Sequence, residues 1–245
     1  AKFYENIRER ISLAKSDKSK QDIIRNLYDT FFNNAFPRMA ARLGIVYTPT
    51  EVVDFILHSV QAALSKHFNC NIGDKDVQLL DPFSGTGTFF VRLIQSGLIS
   101  KEDLPHKYSH ELHANEIVLL AYYIATVNIE TAYHGQTGTY LPFTGMVLTD
   151  TFQMTEQGDL VDKLVMPDNN AKAEHQLAQP IRVIVGNPPY SAGQASENDN
   201  NQNLAYPTLD GRIRSTYAAH SSATQVKQLY DSYIRAIRWA SDRIG

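Results

Sequence analysis

Short apolar runs alternate with longer stretches of helical periodicity along the central part of the chain. Residues 77–80 and 181–185 are compact apolar runs that predict buried strands. Residues 50–67 carry apolar positions at helical spacing, and residues 88–96 do the same after a glycine turn, with Gly97 as the predicted stop. Strands interleaved with helices predict an α/β fold with a mostly parallel sheet.

The N-terminal residues follow the helical pattern alone. Apolar positions recur on one face over residues 23–32, and Pro37 marks the predicted end of that helix. We therefore predict an N-terminal helical extension, residues 1–45, followed by the core, residues 46–245.

The C-terminal residues predict a loop and then a helix. Residues 191–216 are polar, which is typical of a long loop. Residues 217–243 return to helical spacing. The predicted buried face of this helix consists of Leu229, Tyr233, Ile237 and Ala240.

Composition permits a full α/β core and excludes several classes of protein. Of the 245 residues, 43% are hydrophobic, which suffices for one α/β domain. No apolar run reaches the length of a membrane span. The single cysteine, Cys70, excludes a disulfide framework and suits a reducing cytoplasm. Cys70 also lacks the preceding proline that is typical of covalent cytosine-C5 methylation.

The net charge of −3 is distributed unevenly. Residues 1–45 carry nine Lys and Arg against five Asp and Glu, residues 46–200 carry eight against eighteen, and residues 201–245 carry six against three. The basic ends are candidates for contacts with DNA phosphates, and an ordinary solvated surface is the alternative interpretation.

The predicted strand lies in the run at 181–186, which is followed directly by a motif that suits the methylation of an amine, Asn187, Pro188, Pro189 and Tyr190. An exocyclic aromatic amine is a weak nucleophile because its lone pair is delocalised into the ring. The Asn187 side-chain oxygen and the Pro188 carbonyl can accept its hydrogens, while the prolines hold these acceptors in place. The Tyr190 ring offers a face to a base that has left its stack. A strand followed by a proline turn is the alternative.

A glycine loop, Asp-Pro-Phe-Ser-Gly-Thr-Gly-Thr at residues 81–88, follows the first predicted strand. Gly85 and Gly87 let the backbone approach a ligand, and the helix that follows offers free N–H groups. A phosphate-binding P-loop is disfavoured because no Gly-Lys-Ser/Thr follows, and a dinucleotide site because the third glycine is missing. A structural turn is the other interpretation.

Three motifs in this order resemble the S-adenosylmethionine-dependent adenine-N6 DNA methyltransferases. They are the segment at residues 46–56, the glycine loop at 81–88 and the Asn-Pro-Pro-Tyr motif at 187–190. Their order is the gamma arrangement, in which a cofactor-binding segment precedes the glycine loop. Residues 191–194 and 229–235 are most similar to the methyltransferase module of single-chain Type ISP restriction–modification enzymes. The resemblance covers roughly residues 30 to 245.

The resemblance implies a Rossmann-like methyltransferase core, S-adenosylmethionine as methyl donor and double-stranded DNA as substrate. The methyl group would pass in line to adenine N6 after the base is flipped out of the duplex, with Asn187, Pro188, Pro189 and Tyr190 as catalytic residues. Covalently linked nuclease, helicase and recognition domains would complete the parent protein. The alternatives are a protein-glutamine or RNA N-methyltransferase, or a non-catalytic cofactor-binding scaffold.

The resemblance also implies a cofactor site. Asp81 would lie beside the methionine moiety, and Glu116 would accept hydrogen bonds from the ribose hydroxyls. An insertion at residues 98–110 lengthens the spacing between them and leaves Glu111 as an alternative ribose ligand. Glu116 is favoured because apolar residues continue from it at helical spacing, at Ile117, Leu120, Ala121, Ile124 and Val127. The implied cofactor-binding residues are Tyr47, Thr48, Pro49, Asp81, Pro82, Phe83, Gly85, Gly87, Glu116 and Asp150.

Two of these assignments concern the ends of the cofactor. Tyr47, Thr48 and Pro49 would close over the methionine moiety. Asp150 would accept from the amino group of the cofactor's adenine, whereas a turn or cap residue is the alternative for an Asp at a strand end.

The sequence stops at Gly245, where the family's next strand would begin. We therefore expect a truncated sheet, with the C-terminal strands and the target recognition domain absent. On this basis the 245 residues alone are expected to bind S-adenosylmethionine weakly and not to methylate DNA at specific sites.

Overall fold

A computed structural model of the protein describes residues 48–156, 166–189, 205–222 and 227–244. These residues belong to one compact unit, Ile45–Gly245. The predicted helical extension, residues 1–45, lies outside the described residues, as do Tyr47 and Tyr190.

Four parallel strands form the sheet of the described residues, in the order β3-β2-β1-β4. Leu80 of the first strand pairs with His113 on one side and Ile184 on the other. The predicted mostly parallel α/β architecture is confirmed. Chain order reverses between β1 and β4, and ligands bind such sheets at the carboxyl ends of the strands beside this switch point. The strands are β1 Gln78–Asp81, β2 Leu112–Glu116, β3 Met146–Leu148 and β4 Ile181–Ile184.

Seven α-helices of the described residues flank the sheet. Helix α2 packs against both α1 and α4, α5 packs on β3, and α6 packs on α7. No helix in this part of the chain is long and apolar enough to cross a membrane. The helices are α1 Thr50–Phe68, α2 Thr88–Gln95, α3 Leu104–His110, α4 Leu119–Thr137, α5 Pro167–Ala178, α6 Pro207–Ile213 and α7 Ser232–Arg243.

Apolar clusters cover both faces of the sheet, because successive side chains of a strand point to opposite faces. Leu79 packs into a cluster with residues of α1, α2 and α4, such as Leu57 and Phe90. Leu80 packs into the other cluster with residues of α6 and α7, such as Leu209 and Trp239. The sheet therefore lies between two helical layers.

The helices that precede the site begin and end as the sequence predicts. Helix α1 begins after Pro49, whose carbonyl accepts from the first free N–H groups, and ends at Asn69 in the left-handed conformation with φ 52°. Helix α2 begins after Gly87, and Gly97 follows its end with φ 77°.

The loop predicted at residues 191–216 is wrong in its second half. Residues 207–213 form α6, and a π-helical turn, Arg214–Ala218, follows it. Only two apolar side chains, Leu209 and Ile213, anchor α6, and both are buried. Because they lie one helical turn apart among polar residues, their signal is easily missed.

The predicted buried face of α7 is partly wrong, because Leu229 and Ala240 pack against an apolar cluster whereas Tyr233 and Ile237 are exposed. Helix α7 begins only at Ser232, and it buries Ala236 and Trp239 while Tyr233 and Ile237 are each 41% exposed. Along α4 the small residues Ala121, Ala125 and Ala132 are buried with Ile129, because this helix packs closely on α2. The larger residues at Ile117, Leu120 and Val127 are exposed.

Candidate active site

Asp81 ends β1 at the switch point, and the chain leaving β4 passes directly against it. A Cβ atom built at Gly186 would lie 2.9 Å from Asp81 Oδ1 and 3.4 Å from Pro82 Cδ. Only glycine permits this approach. Asn187 follows immediately, so the structure brings the candidate cofactor carboxylate and the Asn-Pro-Pro motif to one point of the sheet edge.

The Asp81 carboxyl group is 1% exposed and incompletely paired. Its Oδ1 atom accepts from the Phe83 N–H at 3.1 Å, whereas Oδ2 has no hydrogen-bond partner in the described part of the chain. Burial raises the pKa of Asp81 to about 8; the nearby Glu116 charge adds to the rise, and the Phe83 N–H opposes it. A buried acceptor of this kind suits a cationic or hydrogen-bond-donating ligand.

The glycine loop turns from β1 into α2 with two left-handed residues. Gly85 has φ 55° and open space where a side chain would lie, so its backbone is available to a ligand. Gly87 has φ 80°, and a Cβ atom there would lie 3.1 Å from Ile129 and 3.2 Å from the Ala125 carbonyl oxygen. From α4, the Asn128 amide donates to the Thr86 carbonyl at 3.0 Å. Gly85 therefore faces open space, while Gly87 permits close helix packing.

Glu116, the last residue of β2, joins this loop to the turn before α4. Its Oε2 accepts from the Gly85 N–H and its Oε1 from the Val118 N–H, each at 2.8 Å. Burial raises the pKa of Glu116 to about 7, against the lowering effect of these backbone N–H groups. Each oxygen keeps a second lone pair with which it can accept from a ligand hydroxyl.

Glu111 lies at the opposite, amino-terminal end of β2. Its carboxylate contacts the buried Lys107 ammonium through Oε2, and Oε1 accepts from the Asp76 N–H at 2.6 Å. Lys107 also donates to the carbonyls of Asp74 at 2.6 Å and Val77 at 3.0 Å. The insertion at 98–110 thus supplies α3 and a buried ion pair that holds Glu111 away from the glycine loop.

The segment after β3 reaches the glycine loop as well. The Thr149 N–H donates to the Glu116 carbonyl at 2.9 Å, and the Thr151 hydroxyl donates to the Pro82 carbonyl at 2.6 Å. The Phe152 ring packs edge-on against Phe83 with ring centroids 5.5 Å apart. These contacts bring Asp150 to the same edge of the sheet as Glu116.

The remaining predicted site residues lie after β4 and at the beginning of α1. Asn187, Pro188 and Pro189 are half-buried. Thr48 is half-buried and Pro49 exposed, at the beginning of α1.

An ion pair attaches α1, and with it the Thr48–Pro49 segment, to α2. Arg92 of α2 donates to Asp54 of α1 through two bonds of 2.7 and 2.8 Å. Helix α2 begins directly at the end of the glycine loop, so the Arg92–Asp54 pair connects this segment to the loop.

Three further residues of the site were not predicted. Gly186 permits the close approach to Asp81, and its position directly before Asn187 was the available signal. Asn115 is fully buried beside Glu116, donates to Thr151 Oγ1 at 3.2 Å and leaves its Oδ1 atom without a partner among the described residues. Tyr206 donates to Asp150 across a long sequence distance that no local pattern reveals.

The described part of the site therefore offers hydrogen-bond acceptors along one sheet edge. Asp81 lies at β1, Glu116 at β2 and Asp150 after β3, with the open backbone of Gly85 between the first two. No group of three His, Cys, Asp or Glu side chains gathers as metal ligands within the described ranges. The arrangement suits a ligand with several hydrogen-bond donor groups.

Comparison with known proteins gives a family. Residues 19–219 match the N-6 DNA methylase family. No curated protein matches the chain.

Three solved structures share the fold of the chain. The DrdV–DNA complex, solved by cryo-electron microscopy, is 44% identical with a TM-score of 0.87, over 96% of this chain and 22% of that one. The ATP-dependent Type ISP restriction-modification enzyme LlaBIII, bound to DNA, is 48% identical with a TM-score of 0.85, over 95% of this chain and 16% of that one. A nuclease-deletion mutant of the Type ISP enzyme LlaGI, in complex with a DNA substrate mimic, is 47% identical with a TM-score of 0.85, over 99% of this chain and 20% of that one. This chain thus spans about a fifth of their length.

Proposed function

Because the chain belongs to the N-6 DNA methylase family, we propose that it transfers a methyl group from S-adenosylmethionine to N6 of adenine in double-stranded DNA. The observation that carries this proposal is the contact between Asp81 and Gly186. It brings the candidate cofactor carboxylate within one residue of Asn187, the candidate acceptor for the target amine. A methyl donor and its acceptor base must meet at such a point.

The buried acceptors fit S-adenosylmethionine. When bound, this cofactor supplies a methyl group on a positively charged sulfonium, which is already activated for transfer. Asp81 Oδ2, buried without a partner among the described residues, accepts from the cofactor's ammonium group. Glu116 accepts from the ribose hydroxyls and Asp150 from the adenine amine, while the backbone of Gly85 lies under the ligand.

The remaining predicted cofactor residues act around these acceptors. Tyr47, Thr48 and Pro49 close over the methionine moiety. Pro82 and Phe83 form part of the pocket wall, and Gly87 allows α2 to begin close to the ligand.

The acceptor amine is held by Asn187 and Pro188. The side-chain oxygen of Asn187 and the carbonyl of Pro188 accept the two amine hydrogens and thereby return electron density to nitrogen. Pro189 restricts the backbone of the motif, and the Tyr190 ring stacks on the flipped base. The amine held in this way would take the methyl group in line as the sulfur–carbon bond of the donor breaks and S-adenosylhomocysteine departs, and the amine would then lose its proton to solvent.

We also propose the setting in which this reaction takes place. The named Type ISP relatives are restriction–modification enzymes solved in complex with DNA or a DNA substrate mimic, and their chains are about five to six times as long as this one. By analogy, the parent protein of this chain carries covalently linked nuclease, helicase and target recognition domains. The single cysteine, Cys70, is free and fits a cytoplasmic protein.

Variants of the Asn-Pro-Pro-Tyr motif test the reaction in protein expressed from the complete reading frame that encodes this chain. Asn187→Ala should abolish methyl transfer to unmethylated duplex DNA while affinity for S-adenosylhomocysteine stays within about threefold, because Asn187 contacts the amine and not the cofactor. Tyr190→Phe should retain much more activity than Tyr190→Ala, since stacking needs only the ring.

The acceptor decides between the proposal and its alternatives. Radiolabelled methyl groups found in protein or RNA, and not in DNA, would indicate the glutamine or RNA methyltransferase. Cofactor binding without any transfer would indicate a scaffold. Full activity in Asn187→Ala would remove Asn187 from the reaction.

A further inference from the structure

We propose that Tyr206 is a positioning residue that aims the Asp150 carboxylate at the amino group of the cofactor's adenine. This inference rests on the role proposed above for Asp150. The Tyr206 hydroxyl donates a 2.8 Å hydrogen bond to Asp150 Oδ2. Tyr206 is 6% exposed, so water competes little for this bond.

Both oxygens of Asp150 are occupied in a way that fixes the direction of the carboxylate. Oδ1 accepts from the Phe152 N–H at 3.0 Å, and Oδ2 accepts from Tyr206. A carboxylate oxygen can accept more than one hydrogen bond, so Oδ2 retains a lone pair for a ligand amine. Burial raises the pKa of Tyr206, and the Asp150 charge adds to the rise, so the phenol remains a donor at neutral pH.

The Tyr206 ring is held by contacts that do not involve its hydroxyl. Phe152 packs edge-on against it with ring centroids 5.3 Å apart, and the Arg235 guanidinium lies 5.1 Å from the ring centroid. Arg235 is itself fixed by two bonds to Asp210, of 2.8 and 2.9 Å. Removing the hydroxyl alone therefore leaves the ring in place.

A second contact docks the same segment without using Tyr206. The Glu156 carboxylate accepts from the N–H groups of Thr208 and Leu209, at 2.9 and 3.0 Å, at the beginning of α6. Residues 150–156 and 205–213 thus remain joined when the Tyr206 hydroxyl is absent, and its loss acts on the orientation of Asp150.

The test compares two ligands with Tyr206→Phe in protein from the complete reading frame. One ligand is S-adenosylhomocysteine, and the other is its analogue that lacks the 6-amino group of adenine. We expect Tyr206→Phe to weaken S-adenosylhomocysteine binding by about 2- to 10-fold and to leave the binding of the analogue unchanged, because only the amine contacts Asp150. Calorimetry measures both affinities.

Tyr108→Phe is the matched control. Tyr108 is also buried, and its hydroxyl donates to the Leu141 carbonyl at 2.9 Å, outside the candidate site. This variant should lose thermal stability to a similar degree and keep the preference of the wild type for the amine-bearing ligand.

The outcomes separate the two proposals. Equal weakening of both ligands by Tyr206→Phe, or no weakening of either, would overturn the positioning role. A wild-type protein that binds the two ligands equally well would instead overturn the assignment of Asp150, on which the inference rests. Asp150→Asn, which keeps Tyr206, should lose the preference for the ligand that bears the amine. This variant shows how large the effect is when the preference is lost completely.

Discussion

Asp81→Asn is expected to stabilise the ligand-free protein and to weaken cofactor binding. Asn resembles the protonated Asp81 in shape, and it retains an oxygen that can accept from the Phe83 N–H. It removes a carboxyl group that becomes a buried, unpaired charge when it ionises, because Oδ2 lacks a partner among the residues that the structure describes. Such a charge destabilises the fold in the absence of its ligand.

The size and sign of the effect follow from the pKa of Asp81, which burial raises from 3.8 to about 8. As pH rises from about 4 to about 8, the unfolded chain loses this proton while the native protein keeps it, so native stability declines. At about 1.4 kcal/mol per pH unit, the ceiling of this loss is about 6 kcal/mol. Structural relaxation reduces it, and we expect Asp81→Asn to gain about 1–3 kcal/mol near pH 8 and less near pH 5.

Urea unfolding of the ligand-free variant and wild type at the two pH values measures this difference. Asp54→Asn is the matched control, because the Asp54 carboxylate is paired with Arg92 and its loss should not stabilise the protein at either pH. Calorimetry with S-adenosylmethionine should show a loss of about 10-fold or more for Asp81→Asn, the value of a hydrogen bond to a charged group. If Asp81→Asn does not raise the free energy of unfolding, or raises it more near pH 5 than near pH 8, the raised pKa of Asp81 is refuted.

Further changes test neighbouring parts of the site and its support. Gly186→Ala should lower the free energy of unfolding by about 1–3 kcal/mol and weaken cofactor binding, because its Cβ atom would meet Asp81. Gly135→Ala, in open space on α4, should raise the free energy of unfolding by about 0.5–1 kcal/mol. Equal effects of the two variants in thermal melts would count against the contact between residue 186 and Asp81. Affinity for S-adenosylhomocysteine should fall as pH drops through about 8 and then about 7, where Asp81 and Glu116 protonate, and Glu116→Gln should remove only the lower step in calorimetry. Lys107→Met should lower the free energy of unfolding in urea by about 3–5 kcal/mol, because it removes the buried ammonium partner of the Glu111 carboxylate. A smaller loss in Lys107→Met than in the double variant with Glu111→Gln would contradict this explanation.

The sequence predicted the elements that carry the site because each has a strong local signal. An apolar strand, a glycine turn and a helix occur together over residues 77–97, and tertiary contacts agree with that local preference. The same holds for α1, whose beginning after Pro49 and end before Asn69 match the helical pattern. Their order along the chain was enough to predict the parallel sheet.

Packing, and not periodicity alone, decides which faces of α4 and α7 are buried. On α4, small residues such as Ala125 are buried because α2 approaches closely, and larger apolar residues such as Val127 remain exposed. On α7, Ala236 and Trp239 are buried, whereas Tyr233 and Ile237 are exposed. Hydrophobicity alone does not distinguish a close helix contact from a wide one.

Long-range polar contacts were also beyond the reach of the sequence. The contact between Lys107 and Glu111 is local, yet its burial depends on carbonyls from residues 74–77. The bond from Tyr206 to Asp150 joins elements on either side of β4. No local sequence pattern marks either contact, because each depends on how distant parts of the chain come together in the fold.

The most direct test of the central claim is to locate the transferred methyl group. Protein from the complete reading frame is incubated with duplex DNA that lacks N6-methyladenine and with S-adenosylmethionine bearing a trideuterated methyl group. The DNA is then digested to nucleosides for mass spectrometry. The proposed function predicts trideuterated N6-methyldeoxyadenosine, and none with the Asn187→Ala variant. Label on cytosine, or no label in DNA from a protein that binds the cofactor, would contradict it.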